Sequence, residues 1–154
     1  MGQPILKKIG IHNVQFGNRV VVIEPVNLYG CEIGDDSFIG PFVEIQKDVK
    51  IGQRSKIQSH AFICELVTIG NNCFISHGVK FINDSFSIGG PAGGEKNLWK
   101  STEIGNHVSI GTNATILPVK IADNVVIGAG AVVTKDIKIP GIYAGNPAKK
   151  IRDL

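Results

Sequence analysis

From Ile33 onward a large apolar residue returns at every sixth position: Ile33, Ile39, Ile45, Ile51, Ile57, Ile63, Ile69, Ile75 and Phe81. An α-helix, with a period of about 3.6, and an ordinary strand, with a period of about 2, demand no such spacing. A phase kept this long marks one short unit stacked on itself. The residue after the anchor is often glycine, as in Ile33-Gly34, Ile51-Gly52 and Ile69-Gly70, and the fourth after it is small or β-branched, as at Ser37, Val43, Ser55, Ala61 and Val67. Anchor and fourth residue are two apart across the hexad boundary, so both face inward from one short extended segment. The polar residues between them make a corner. Three hexads closing a triangle, about 18 residues a coil, enclose the anchors and stack at roughly 4.8 Å.

The pattern resumes at Ile104-Gly105, Ile110-Gly111 and Ile116, drops one residue at Leu117-Pro118-Val119-Lys120, and continues through Ile121, Ile127-Gly128 and Val133. Residues 82–103 separate the two runs as one long protruding loop containing Gly89-Gly90-Pro91-Ala92-Gly93-Gly94, and loops of that length in compact repeats are usually functional. The expectation is a single all-β domain over 1–154: irregular capping coils in 1–32, regular coils in 33–81 and 104–136, and a C-terminal segment, 137–154, that leaves the repeat at Pro140-Gly141. A composition of 43% hydrophobic and 19% charged residues fits a globular chain. A net charge of +3, with no basic run longer than Lys149-Lys150, argues against nucleic acid but suits a phosphorylated ligand. The first residues lack a signal-peptide core and no run is long enough to span a membrane, so the expected location is cytoplasmic. Three cysteines without a CxxC predict neither a disulfide framework nor a structural zinc site.

The repeat, the loop and the ending IGAGAVVTKDI…AGNPAKKIR resemble the hexapeptide-repeat acyltransferases. That resemblance implies a left-handed parallel β-helix, a homotrimer with sites between neighbouring subunits, and acetyl-coenzyme A as co-substrate with no metal. The run QSHAFICELVTIGNNCFISHGVKFINDSF is similar to members that acetylate the amino group of nucleotide-linked amino sugars, the precursors of cell-surface glycans. The resemblance further assigns Thr112 and Ala129 to coenzyme A contacts, and Thr134, Lys135, Lys149 and Arg152 to its phosphates and adenine; the same basic residues also read as a solvated tail over the last coil. Ala122 departs from the family's usual glycine.

With residues 18 apart stacked on one corner, Ser59, His77, Thr112 and Ala129 form one column, and Lys47, Glu65 and Asn83 a second. His77 reads either as an exposed corner histidine or as the base for the incoming nucleophile. Gly78 follows it where related enzymes carry an acid, so nothing adjacent in sequence orients the ring. Asn83 reads as a corner amide or as the group that positions the amine. Glu65 and Asp84 are candidates to hold a sugar hydroxyl or an ammonium. His60 falls in another column and reads as a packing residue, while Trp99 packs on the coils, closes the acceptor pocket or reaches a neighbour. Hydroxyl-acetylating members that this chain resembles usually carry a histidine near the start of the loop; Phe81-Ile82-Asn83-Asp84-Ser85-Phe86 has none, so the resemblance implies nitrogen over oxygen acetylation. The alternatives are O-acetylation, a non-catalytic scaffold, and a metal-dependent hydratase, which needs three histidines around one zinc.

Overall fold

The computed structural model describes residues 2–154. Its 21 short strands lie on three faces of a triangular prism, and Lys96–Leu98, one turn of 3-10 helix, is the single helical element among the described residues. The first face stacks Ile11–His12, Asn27–Tyr29, Glu44–Ile45, Phe62–Ile63, Lys80–Phe81, Thr115–Ile116 and Val132–Val133. The second runs from Gln15–Phe16 up to Lys120–Ile121, and the third from Val21–Val22 up to a terminal hairpin of Gly141–Ala144 and Lys149–Arg152. Among the described residues all ladders are parallel except that hairpin. This is the parallel β-helix expected from the repeat.

Register confirms the anchors. Ile45 stacks under Ile63, and Ile57 under Ile75, Ile110 and Ile127. Ile39, Ile45, Ile57, Ile63, Ile75 and Ile110 are fully buried. Each such burial stabilises by about 1.5–3 kcal/mol, which is why one hexad means little alone and a stack of them folds. The corner between the second and third faces, here the Asn71 edge, is laced vertically. Asn71 Oδ1 accepts from Gln53 N at 3.0 Å, Asn106 Oδ1 from Asn71 N at 2.9 Å, and Asp123 Oδ1 from Asn106 N at 2.7 Å. Just inside, the Ser37 and Ser55 hydroxyls each donate to a glycine carbonyl one coil above at 3.0 Å, so these buried polar groups are satisfied.

Two sequence expectations change. Residues 1–32 hold a regular coil, not only irregular caps: Phe16, Val22 and Leu28 sit under Ile33, Ile39 and Ile45. The spacing from Leu28 to Ile33 is one short, which put Gln15 and Asn27 at the counted positions and hid the coil. At the other end the chain does not leave the stack at Gly141. Gly141–Ala144 adds a further rung on Val125–Ile127 before Lys149–Arg152 folds back on it. Ala122 is tolerated because it lies under a single closing bridge, Ile121 to Ile137, and not under a full coil.

Candidate active site

The first face is bordered by the two edges that carry the predicted columns. On the Asn83 edge, stacking of Ile45, Ile63 and Phe81 places Lys47, Glu65 and Asn83 in line, and Asn83 Nδ2 donates to the Glu65 carbonyl at 3.3 Å. The Glu65 side chain is only 14% exposed, and its Oε2 lies 2.6 Å from the ammonium of Lys96, which the long loop delivers. That ammonium also sits 5.3 Å over the Trp99 ring. Tyr29, Gln46, Lys80 and Trp99 join Glu65 and Asn83 around a hollow of about 540 Å³, so Trp99 packs into the pocket wall. Burial, then the Glu44 and Glu65 carboxylates, raise the Tyr29 phenol above its ordinary pKa, keeping it a neutral donor. Asp84 has a structural task beside the one expected of it. Its two oxygens accept the backbone N–H groups of Phe86 at 2.9 Å and Ala92 at 2.8 Å, so it shapes the loop, and each oxygen keeps a further lone pair.

On the opposite border, the His77 edge, Ser59 Oγ lies 2.8 Å from His77 Nδ1. The ring is therefore oriented after all, by a neighbour one coil below and not one residue along. In the tautomer that donates Nδ1–H to Ser59 the Nε2 lone pair is left to take a proton; in the other, Ser59 donates to Nδ1 and Nε2 carries the hydrogen. Above, Ser76 and Thr112 hydroxyls meet at 2.8 Å, and Asn113 N and Gly130 N donate to the carbonyls of His77 and Thr112. Ala129 and Gly130 continue the edge as small exposed residues up to the hairpin bearing Lys149 and Arg152, which are also exposed. A slender chain of amides with a phosphorylated end fits such a track: small side chains leave it open and cations stand at its top.

Not all predicted residues converge. Thr134 and Lys135 follow Val133, which stacks on Ile116 above Phe81, so they crown the Asn83 edge and not the edge of Thr112 and Ala129. Within one chain the width of the first face, six residues from His77 to Asn83, keeps those two apart. A larger hollow of about 690 Å³ lies on the second face, against Glu103, Lys120 and Asp136, and contains none of the predicted residues. The cysteines are buried, and burial pushes the thiols of Cys31 and Cys64 up to about 11 and about 12, so neither supplies a thiolate. Among the described residues no group of three or more His, Cys, Asp or Glu side chains could hold a metal ion, and no helix is long and apolar enough to cross a membrane. Ser59, Tyr29, Gln46 and Lys96 also border these two edges, and sequence reading gave none of them a role. Ser59 was visible as a column neighbour; Tyr29 needed the phase slip after Leu28, and Lys96 has no register to betray it.

The family described as bacterial transferase hexapeptide (six repeats) matches residues 30–65, and the hexapeptide repeat of succinyl-transferase matches residues 102–135. The bifunctional protein GlmU of Clostridium botulinum (strain Loch Maree / Type A3) is 32% identical over 129 residues, covering 76% of this chain. The chain spans only 27% of that relative's length. The crystal structure of a point mutant of AntD, an N-acyltransferase from Bacillus cereus, in complex with dTDP and coenzyme A has the same fold: TM-score 0.81 at 23% identity, over 90% of this chain and 83% of that one. The serine acetyltransferase of Neisseria gonorrhoeae is 34% identical with a TM-score of 0.61, over 73% of this chain and 42% of that one. Repeat, coil register and relatives agree, and the chain belongs to the hexapeptide-repeat transferases.

Proposed function

We propose that this protein is an acetyl-coenzyme A-dependent N-acetyltransferase for a nucleotide-linked amino sugar, working as a homotrimer in which the His77 edge of one chain faces the Asn83 edge of the next. One observation carries the reading: Glu65, recessed in the hollow beside Asn83, already holds an ammonium, that of Lys96. A carboxylate so placed is built to seat an amine. In the assembled site Glu65 holds the acceptor's nitrogen and Asn83 orients it. Deprotonated, with Nε2 of the neighbour's His77 or water taking the proton, the amine attacks the acetyl thioester carbonyl; collapse expels the thiolate of coenzyme A, which takes up the second proton as the nitrogen becomes an amide. Amines are strong nucleophiles, so positioning supplies most of the acceleration and a modest base suffices. AntD, as a complex with both dTDP and coenzyme A, supports a site on this fold that takes the two together.

Purified protein given acetyl-coenzyme A and matched amino- and hydroxy-sugar nucleotides is expected to acetylate the amine at least about 10²-fold faster, because the site's buried polar groups are set for it. Preference for the hydroxyl would replace this reading with O-acetylation, and coenzyme A binding without any transfer would leave a scaffold. Lys96 supplies a second check. Lys96→Met is expected to lower KM for the amino acceptor by about two- to five-fold with kcat unchanged, since the Lys96 side chain, 57% exposed, stays largely solvated and competes only weakly for Glu65. A raised KM would show instead that Lys96 contacts the acceptor.

A further inference from the structure

We propose that the stacked pair Phe42–His60, at the foot of the His77 edge, is a shelf for the nucleobase of the acceptor; this rests on the acceptor being nucleotide-linked. At most corners the third residue after the anchor takes left-handed backbone, and the chain usually places there residues that tolerate it: Asp36, Asp48, Asn72 and Asn113 among them, or Gly78 and Gly130. Arg54, Leu66 and Phe42 depart from that usage, and of the two apolar ones Leu66 is half-buried while Phe42 is exposed. It holds φ 59 and leaves 56% of its surface exposed in the single chain, so neither backbone preference nor burial within the chain accounts for an aromatic ring there. The ring stacks on His60, itself at φ 63, with centroids 4.9 Å apart and planes 13° from parallel, the separation of one rung. On the next rung Gly78 carries no side chain, so the stack ends beside His77. The Lys80 ammonium donates to the His60 carbonyl and puts positive charge alongside. Phe42 also walls a hollow of about 240 Å³ with Pro25, Asn27 and Glu44, and the Asn27 amide offers both a donor and an acceptor to a base edge.

Distances along the edge fit one ligand. Phe42 lies two rungs below His77, roughly 10 Å at about 4.8 Å per rung, which sugar, diphosphate and ribose together span. The sugar meets His77, the diphosphate passes Lys80 and the base lies on Phe42, while coenzyme A approaches from the hairpin above. Stacking on an aromatic face tolerates any base, and an ammonium beside the diphosphate adds charge-assisted bonds.

Phe42→Gly is the informative variant, because it removes the ring and gives the corner the residue its backbone prefers. Calorimetric titration with dTDP and with UDP is expected to show affinity about ten-fold or more weaker in Phe42→Gly than in the parent, and retained in Phe42→Trp. The thermal midpoint should hold or rise, and coenzyme A affinity should not change. Equal nucleotide affinity in parent and Phe42→Gly overturns the shelf. A parent that binds neither nucleotide yet acetylates a free amino sugar overturns the shelf and leaves acetyl transfer standing. Phe42-dependent nucleotide binding without acetyl transfer to any amine supports the shelf and overturns the catalytic reading.

Discussion

A mixture of His77→Ala and Asn83→Ala proteins, unfolded and refolded together, is expected to recover acetyl transfer that neither has alone. Each variant by itself should lose about 10²-fold in kcat/KM, His77→Ala through the proton acceptor and Asn83→Ala through the orientation of the amine. The recovery follows from where the two residues stand. They are fixed to opposite borders of one face, and neither side chain can cross it, so a site using both must draw them from different chains. In a trimer assembled at random from equal amounts, about a quarter of the interfaces would pair an intact His77 edge with an intact Asn83 edge. Refolding the variants separately and then mixing them supplies the control. Co-assembled protein that stays as inactive as its parents would show that the reaction does not join these two edges.

The fold was legible because the hexad writes its own register: an anchor every sixth residue fixes which side chains enter the prism and which stack above one another. Both columns read from that count, Ser59–His77–Thr112–Ala129 and Lys47–Glu65–Asn83, are the ones the strands align. Counting failed wherever the step changed. The short interval from Leu28 to Ile33 displaced the first coil, and the last rung is anchored by Tyr143, paired with Ile127 but ten residues beyond Val133. Chemistry was less legible than shape. Ser59 meets His77 only because a linear separation of 18 becomes one rung, and the roles of Lys96, Trp99 and Asp84 depend on how an aperiodic loop folds back, which no repeat specifies. Phe42 and His60 belong to the regular coils, yet their stacking concerns side chains aimed at solvent, where the hexad places no demand.

Gly70→Ala is expected to destabilise the protein by roughly 2 kcal/mol and lower its unfolding midpoint by about 5 °C or more, while turnover well below that midpoint stays unchanged. A methyl at Gly70 would stand 2.5 Å from the Gly105 carbonyl oxygen and 2.7 Å from its carbon. Neither atom can yield easily, because Gly70 N donates to Ile104 O at 2.9 Å and Gly105 N to Ile121 O at 2.8 Å, so moving one rung strains the next. The Asn106 amide that serves Asn71 N adjoins the same spot. Close approach of coils, and not an unusual backbone angle, is what requires glycine here. Gly90→Ala separates this cause from any general cost of losing a glycine: nothing lies within 4 Å of its added carbon, and its midpoint should not move. Calorimetry on both variants, beside acetyl-transfer rates at low temperature, decides the matter. The Asn71 edge carries none of the groups assigned to the reaction, so a Gly70→Ala protein that keeps its coils but loses turnover would mean the chemistry extends to a border that the mechanism leaves out.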